Sequence, residues 1–198
     1  MFLPLAVYFE THFILPFIKG YHSSDILTYQ MRLFRYHAHL KETHRYGSVW
    51  WSWPFLIRPI WYFFNRQEGL VRGIICIGNP AICWMIFPAL AYSFYVFMRK
   101  KSFIHGFAIL GFISQWVPWA FISRVKFFHY FYPAMPFAAC MLSLLWRRIW
   151  DTGKIGKAAA LAYLFLTAAM FFYWYPLLTG FPISYAYYKN HMWVHSWI

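Results

Sequence analysis

Hydropathy divides the chain into five apolar runs separated by polar or aromatic connections. Leu3 to Ile18 is the first, about 16 residues with Glu10, Thr11 and His12 at its middle. A hydrocarbon core of roughly 30 Å needs about 20 residues of helix, so this run is short, and its polar centre expects a protein neighbour or a wet cavity. Pro80 to Phe97 is the second run, opened by Asn79 as N-cap with proline at the first helical position and closed by Arg99, Lys100 and Lys101. Its 18 residues make roughly 27 Å of helix. Phe103 to Ser123 is the third run, kinked or broken near its end by Pro118. Phe127 to Trp146 is the fourth, with Pro133 and Pro136 in its first half and Arg147-Arg148 at its end. Ala158 to Leu178 is the last, and an aromatic tail holding Trp193 and Trp197 follows it. The pattern predicts five membrane spans.

A different pattern fills residues 19–79. Ser23 or Ser24 caps a helix in which Leu27, Met31, Phe34 and Ala38 share one face, while Asp25, Thr28, Arg32, Arg35 and His39 share the other. Such a helix, ending near Lys41, is too polar to span and suited to lie on a membrane surface. His44 to Phe64 comes next, crowding Trp50, Trp51, Trp53 and Trp61 with Tyr46, Tyr62, Phe55, Phe63 and Phe64 around Pro54 and Pro59. Tryptophan and tyrosine collect where hydrocarbon meets headgroup, with the ring buried and its N–H or O–H wet. Ser52 before Trp53-Pro54 reads as a helix start, Asn65 to Gly73 as a polar turn region, and Ile74 to Ile77 as a short strand or extended piece leading into Gly78-Asn79-Pro80. The expected organisation is a first span (1–18), an extracytoplasmic loop with interfacial helices (19–79), a four-helix transmembrane region (80–182, with 158–178 as its last span) and an extracytoplasmic aromatic tail (183–198). The fold class is all-α integral membrane.

Composition agrees. Of 198 residues, 62% are hydrophobic and 26% aromatic, and only 12% are charged, about half the share of a soluble domain. The formal net charge of +13 would suit nucleic acid, but the cations are scattered between apolar runs and form no single basic face, so no nucleic-acid partner is expected. They do orient the chain. The turns at 99–101 and 147–157 hold seven Lys and Arg against two in the connection at 124–126, which puts those two turns in the cytoplasm. The 19–79 loop and the C-terminus then lie outside. The eight basic residues of 19–79 oppose this, though a segment that long escapes most of the rule's force.

Few side chains suit chemistry. Cys76, Cys83 and Cys140 form neither a disulfide framework nor a zinc pattern. His37 and His39 point apart on a helix, and His191 and His195 stand at metal-compatible spacing without a third ligand, so no metal is expected. The carboxylates Glu10, Asp25, Glu42, Glu68 and Asp151 include no pair for acid and base work. The run Arg124-Val125-Lys126-Phe127-Phe128-His129-Tyr130 is more informative. Two cations precede a helix N-terminus at headgroup depth, with a histidine just beyond. That arrangement suits either ordinary headgroup anchoring or the phosphate of a lipid-linked substrate.

Four motifs, in order, are His44 to Pro59 (HRYGSVWWSWPFLIRP), Gly78-Asn79-Pro80, the run ending FHYFYPAMP at Phe128 to Pro136, and YPLLTGFP at Tyr175 to Pro182. With them the chain resembles the C-terminal four-helix region of protein O-mannosyltransferases, the polyprenyl- or dolichyl-phosphate-mannose-dependent family with a GT-C membrane fold. The resemblance runs from about Pro4 onward and implies transfer of mannose from a lipid phosphate carrier to Ser or Thr of a protein outside the cytoplasm. It implies no separate cofactor: the lipid-phosphate-linked mannose is the donor substrate. Family members have about eleven spans, of which these would be the last five, and the short 19–79 loop looks like the bacterial type, in the cell's inner membrane, without the eukaryotic β-trefoil insertion. On this resemblance Arg124, with Lys126 and His129, holds the carrier phosphate, and Trp50, Trp51, Trp53 and Arg58 line the active-site mouth. The family's catalytic acids sit in the first outer loop of an N-terminal half, so this chain is expected to hold no catalytic residue. It reads as a fragment, split gene product or truncated gene, inactive alone and partnered by an N-terminal half or a full-length copy. The alternatives are a non-catalytic membrane scaffold and a related carrier-dependent transferase with a non-protein acceptor.

Overall fold

The computed structural model describes residues 6–8, 10, 26–39 and 43–197. It falls into two compact units, Met1–Glu42 and Thr43–Ile198. The first unit contains helix α1 (Ile26–His39), which is amphipathic as its spacing predicts, with Leu27, Met31 and Phe34 exposed. The first predicted span, Leu3 to Ile18, lies outside the described residues apart from residues 6–8 and 10, as do Asp25 and Glu42.

The second unit is a helical bundle with a structured cap at one end. Its helices are α2 (Pro80–Trp84), α3 (Ile86–Lys100), α4 (Phe103–Trp116), α5 (Met135–Trp150), α6 (Lys154–Thr179) and α7 (Tyr185–His191). Joined with their adjoining 3₁₀ turns they make four helices long and apolar enough to cross a membrane: Pro80–Lys100, Phe103–Ala120, Phe128–Trp150 and Lys154–Thr179. Prolines set their irregularities. Pro88 has no N–H for the carbonyl of Trp84, and the chain breaks between α2 and α3 at Met85. Pro118 likewise ends α4, which tightens into a 3₁₀ turn over Val117–Ala120, and Pro133 sits within another over Phe128–Ala134 that leads into α5. Helix α5 packs against α3, α4 and α6. Ala89, Ala108, Ala134 and Ala138 are fully buried there, small side chains that let helices approach where no hydrophobic effect drives them together.

The cap contains what the hydropathy pattern did not predict, a small sheet. Ile60–Gln67 (β1) pairs antiparallel with Leu70–Cys76 (β2), and β2 pairs with Ile183–Ser184 (β3). Asn65 to Gly73, read as a polar turn, is therefore mostly strand. The turn itself is Glu68-Gly69, between paired Gln67 and Leu70, with φ of 51° and 78°. Positive φ at both central residues is what a tight two-residue hairpin needs. Ser52 begins no α-helix: the chain makes a 3₁₀ turn over Trp50–Ser52, and Pro59 is followed by strand. The fold remains mostly helical and membrane-spanning, with the sheet as an addition at one end.

The C-terminal tail closes that end. Trp197 is 1% exposed, its Nε1 donates to the Leu56 carbonyl at 2.5 Å, and its own carbonyl accepts from Trp61 Nε1 at 2.8 Å. Ser196 Oγ bonds the Ile57 carbonyl beside it. The tail, β1–β2 and residues 43–59 thus meet at the same end of the bundle as the 121–127 connection.

Candidate functional site

The connection between α4 and α5 is held from below and from the side. Trp119 and Tyr130 stack nearly parallel, with ring centroids 4.4 Å apart. Over this pair lies Arg124, whose guanidinium carbon is 5.3 Å from the Tyr130 ring and 5.9 Å from the Trp119 ring, and whose Nη2 donates to the Tyr130 hydroxyl at 3.2 Å. A guanidinium is planar and weakly hydrated, so an aromatic face and a hydroxyl together fix its direction. Lys126 Nζ donates to the Ile122 carbonyl at 2.6 Å, which folds the connection back on itself and keeps both cations half-buried.

The aromatic loop forms the second wall. Ser48 N–H donates to the Lys126 carbonyl at 2.8 Å, and Ser48 Oγ accepts from Trp53 Nε1 at 2.9 Å. Trp116 Nε1 donates to the Trp50 carbonyl at 2.9 Å, and the two rings lie 5.2 Å apart. The His44 ring meets Phe127 edge-on at 5.0 Å. Apart from the Ser48–Trp53 bond, each of these contacts crosses from residues 43–53 to residues 116–127, so two segments distant in sequence make one surface.

The residues singled out by sequence separate here. Arg124 and His129 share Tyr130 as a neighbour, the His129 ring lying 4.5 Å from Tyr130 and stacking on Phe127 at 5.7 Å, while the Lys126 ammonium turns back to the Ile122 carbonyl. Trp50 is half-buried against Trp116. Trp51 is exposed on the rim. Trp53 is 1% exposed and packs among Trp119 and Phe131, so it is a core strut and lines no open mouth. Arg58 turns away, clamping the Arg45 carbonyl through Nε at 3.1 Å and Nη2 at 2.6 Å. His191 is buried with both ring nitrogens against the carbonyls of Tyr187 and Tyr173, while His195 belongs to a separate turn. Among the described residues no three His, Cys, Asp or Glu gather in a metal-binding group. Asp151 pairs with Arg147 between α5 and α6, and Glu68 occupies the hairpin tip.

The structure adds residues that sequence reading passed over. Trp119 and Tyr130 support Arg124, but nothing in their spacing announced it. A cavity of about 450 Å³ opens beside β1, lined by Trp61 to Phe64, Arg45, Tyr46 and Tyr188. Burial pushes the Tyr188 phenol up, so it faces that cavity's wall as a neutral hydroxyl. Tyr62 connects cavity to cations, its ring 6.4 Å from His129. The motif Gly78-Asn79-Pro80 proves to be a joint. Asn79 Oδ1 accepts from Ala81 N at 3.0 Å as an N-cap, and its Nδ2 donates to the Thr167 carbonyl of α6 at 2.9 Å. A Cβ on Gly78 would stand 2.5 Å from Cys83 Sγ and 3.1 Å from Phe128.

Comparison with known proteins places this architecture. The profile of the C-terminal four TMM region of protein-O-mannosyltransferase matches residues 23–197. The chain belongs to the protein O-mannosyltransferase family. Its four described spans are the four of that region. A polyprenol-phosphate-mannose–protein mannosyltransferase of Mycobacterium tuberculosis is 28% identical over 188 residues, 85% of this chain and 36% of that protein. The dolichyl-phosphate-mannose–protein mannosyltransferase 1 of Saccharomyces cerevisiae is 22% identical over 88% of this chain and 24% of its own length. Among solved structures, the S. cerevisiae protein O-mannosyltransferase Pmt1-Pmt2 complex bound to the sugar donor superposes with a TM-score of 0.71 at 21% identity, over 85% of this chain and 26% of that one. That likeness makes this the fold of the C-terminal part of a GT-C mannosyltransferase. The chain spans about a third of the length of its mycobacterial protein O-mannosyltransferase relatives.

Proposed function

We propose that this chain is the carrier-binding, acceptor-facing part of an enzyme that moves mannose from a polyprenyl phosphate to Ser or Thr of a protein. The observation that carries the reading is the Arg124 guanidinium, aimed by the Trp119–Tyr130 stack at the end of the bundle where residues 43–59 fold over it. A phosphate there meets the delocalised Arg124 cation, the Lys126 ammonium, the His129 imidazole and the N-terminal end of the Phe128–Trp150 span. Such a cluster stabilises the phosphate as leaving group once the sugar departs. No carboxylate stands at this cluster among the described residues, so a base for the acceptor hydroxyl is supplied by another segment, an N-terminal half or a partner polypeptide. Relatives carrying both halves bear the names of complete mannosyltransferases.

The membrane is that of a bacterial cell, a reading supported by the mycobacterial relatives at 28% identity against 22% for the yeast protein. The aromatic end faces outward and the basic turns face the cytoplasm. A cysteine at Glu68, on the exposed hairpin tip of a Cys140→Ala background, tests this. It reacts with an impermeant thiol reagent on intact cells, whereas labelling only after lysis inverts the topology. Glu68 serves better than Ser48, whose hydroxyl and N–H are both engaged.

The functional test is Arg124→Ala in the enzyme assembled with its N-terminal half. Loss of one charge-assisted phosphate contact raises the apparent KM for the lipid donor about tenfold or more, with acceptor KM unchanged. Unchanged donor kinetics removes the role, and an assembly without transferase activity favours the scaffold.

A further inference from the structure

The cavity beside β1 has a shape that says what fits it. Among the described residues β1 is an outer strand, paired with β2 on one side only. Trp61, Tyr62, Phe63 and Phe64, four successive residues of β1, all line the cavity. Neighbouring residues of a strand face opposite ways, and the one-residue irregularity between Trp61 and Phe63 leaves that true of Phe63 and Phe64. A cavity touching all four therefore runs along the edge of the strand, past backbone N–H and C=O groups that no strand among the described residues pairs, and not over one face.

Its opposite wall is backbone held in place. Arg58 fixes the Arg45 carbonyl with two hydrogen bonds, and Tyr46 N–H is held by His44 Nδ1 at 3.1 Å. Tyr62, Phe63 and Phe64 are each about half exposed, although a long apolar outer strand is normally covered, kinked or charged. One end of the slot carries Arg66, its guanidinium 3.9 Å over the Tyr185 ring. Tyr62 leads the other way to His129 and so to the Tyr130–Arg124 bond.

We infer that an acceptor polypeptide lies in this slot as an added strand, extended along the edge of β1, with its side chains alternating between the aromatic wall and solvent. The inference rests on the transferase reading above and gives that site its acceptor. Backbone hydrogen bonds supply affinity without demanding a particular sequence. Extension exposes every second side chain, which presents a Ser or Thr hydroxyl without neighbours of its own helix in the way. Arg45, Arg58 and Arg66 flank the slot and no carboxylate among the described residues lines it, so neutral or acidic stretches are accepted and basic ones repelled.

The test uses the chain in lipid nanodiscs and a fluorescent ten-residue peptide of alternating Thr and Val with acidic ends. An added strand uses the N–H groups of alternate residues only. N-methylation of one alternate set then weakens binding about tenfold or more, while methylation of the other set leaves it within about twofold. Lysines in place of the acidic ends weaken it several-fold. A photoreactive benzoylphenylalanine in place of Phe63 captures the peptide. Equal loss from both methylated sets, no binding at about 1 mM peptide, or capture of residues 1–42 or of a second copy of the chain overturns the inference. Polyprenyl phosphate binding to the same nanodiscs, with Arg124→Ala as control, is read separately. Its failure sinks the carrier reading and leaves the strand result to stand or fall by itself.

Discussion

The two ends of the bundle are built on different principles. At one end, residues separated by up to 141 positions exchange tryptophan N–H bonds, a three-stranded sheet forms, and Trp53, Trp61 and Trp197 are buried. At the other, short turns join the helices and seven Lys and Arg stand around them, with the exposed Arg147–Asp151 contact at 3.1 Å as the ion pair between side chains. Aromatic contacts among the described residues there stay within a helix or between helices adjacent in sequence, such as Lys101 over Phe97, Lys157 over Trp150 and Trp146 stacked on Tyr163. An anchor needs no more than charge at the headgroup level. A binding surface needs its side chains fixed, which here takes long-range hydrogen bonds inside an aromatic core.

Substitutions break the comparison in order of size. Trp197→Ala removes a fully buried tryptophan of the structured end together with its bond to Leu56, and lowers stability by about 3–5 kcal/mol as a large-to-small core change. Denaturant titration in micelles measures it, and a loss under about 1 kcal/mol would mean the tail is decoration. Asn79→Ala uncaps α2 and unties it from α6, for a loss of about 1–3 kcal/mol in the same titration. Asp151→Asn, at the other end, breaks an exposed i,i+4 pair and changes stability by about 0.5 kcal/mol or less. A large effect there would erase the distinction between the ends.

The same contrast explains what sequence alone could reveal. Spans and their basic closures rest on hydropathy and charge, which are local, and Pro80–Lys100 and Lys154–Thr179 were legible within a few residues. The interfacial helix was equally legible, because Leu27, Met31 and Phe34 share a face by spacing alone. The hairpin was hidden because Trp61 to Phe64 are all aromatic, so the period-two alternation that announces a half-buried strand is absent, and Glu68-Gly69 is an unobtrusive turn. Arg124, Lys126 and His129 could be singled out from charge and order. Their support could not: Trp119 stacks on Tyr130 only because two prolines, Pro118 and Pro133, turn the helix ends into 3₁₀. Trp53 was misjudged as mouth for the matching reason. A tryptophan in an interfacial stretch and one in a core look alike until Ser48 is seen accepting its N–H.

The bond from Trp197 back to Leu56 also sets a clock. The aromatic loop at 43–59 leaves the ribosome before the tail, and its core lacks a lid until four more spans and the tail have been made, 141 residues later. At typical synthesis rates of about 5–20 residues per second, that is a delay on the order of ten seconds. For that interval the slot and its aromatic walls stand half-built on the membrane surface, open to chaperones and to degradation. The turn that seats Trp197 is thus also the step that ends the exposure.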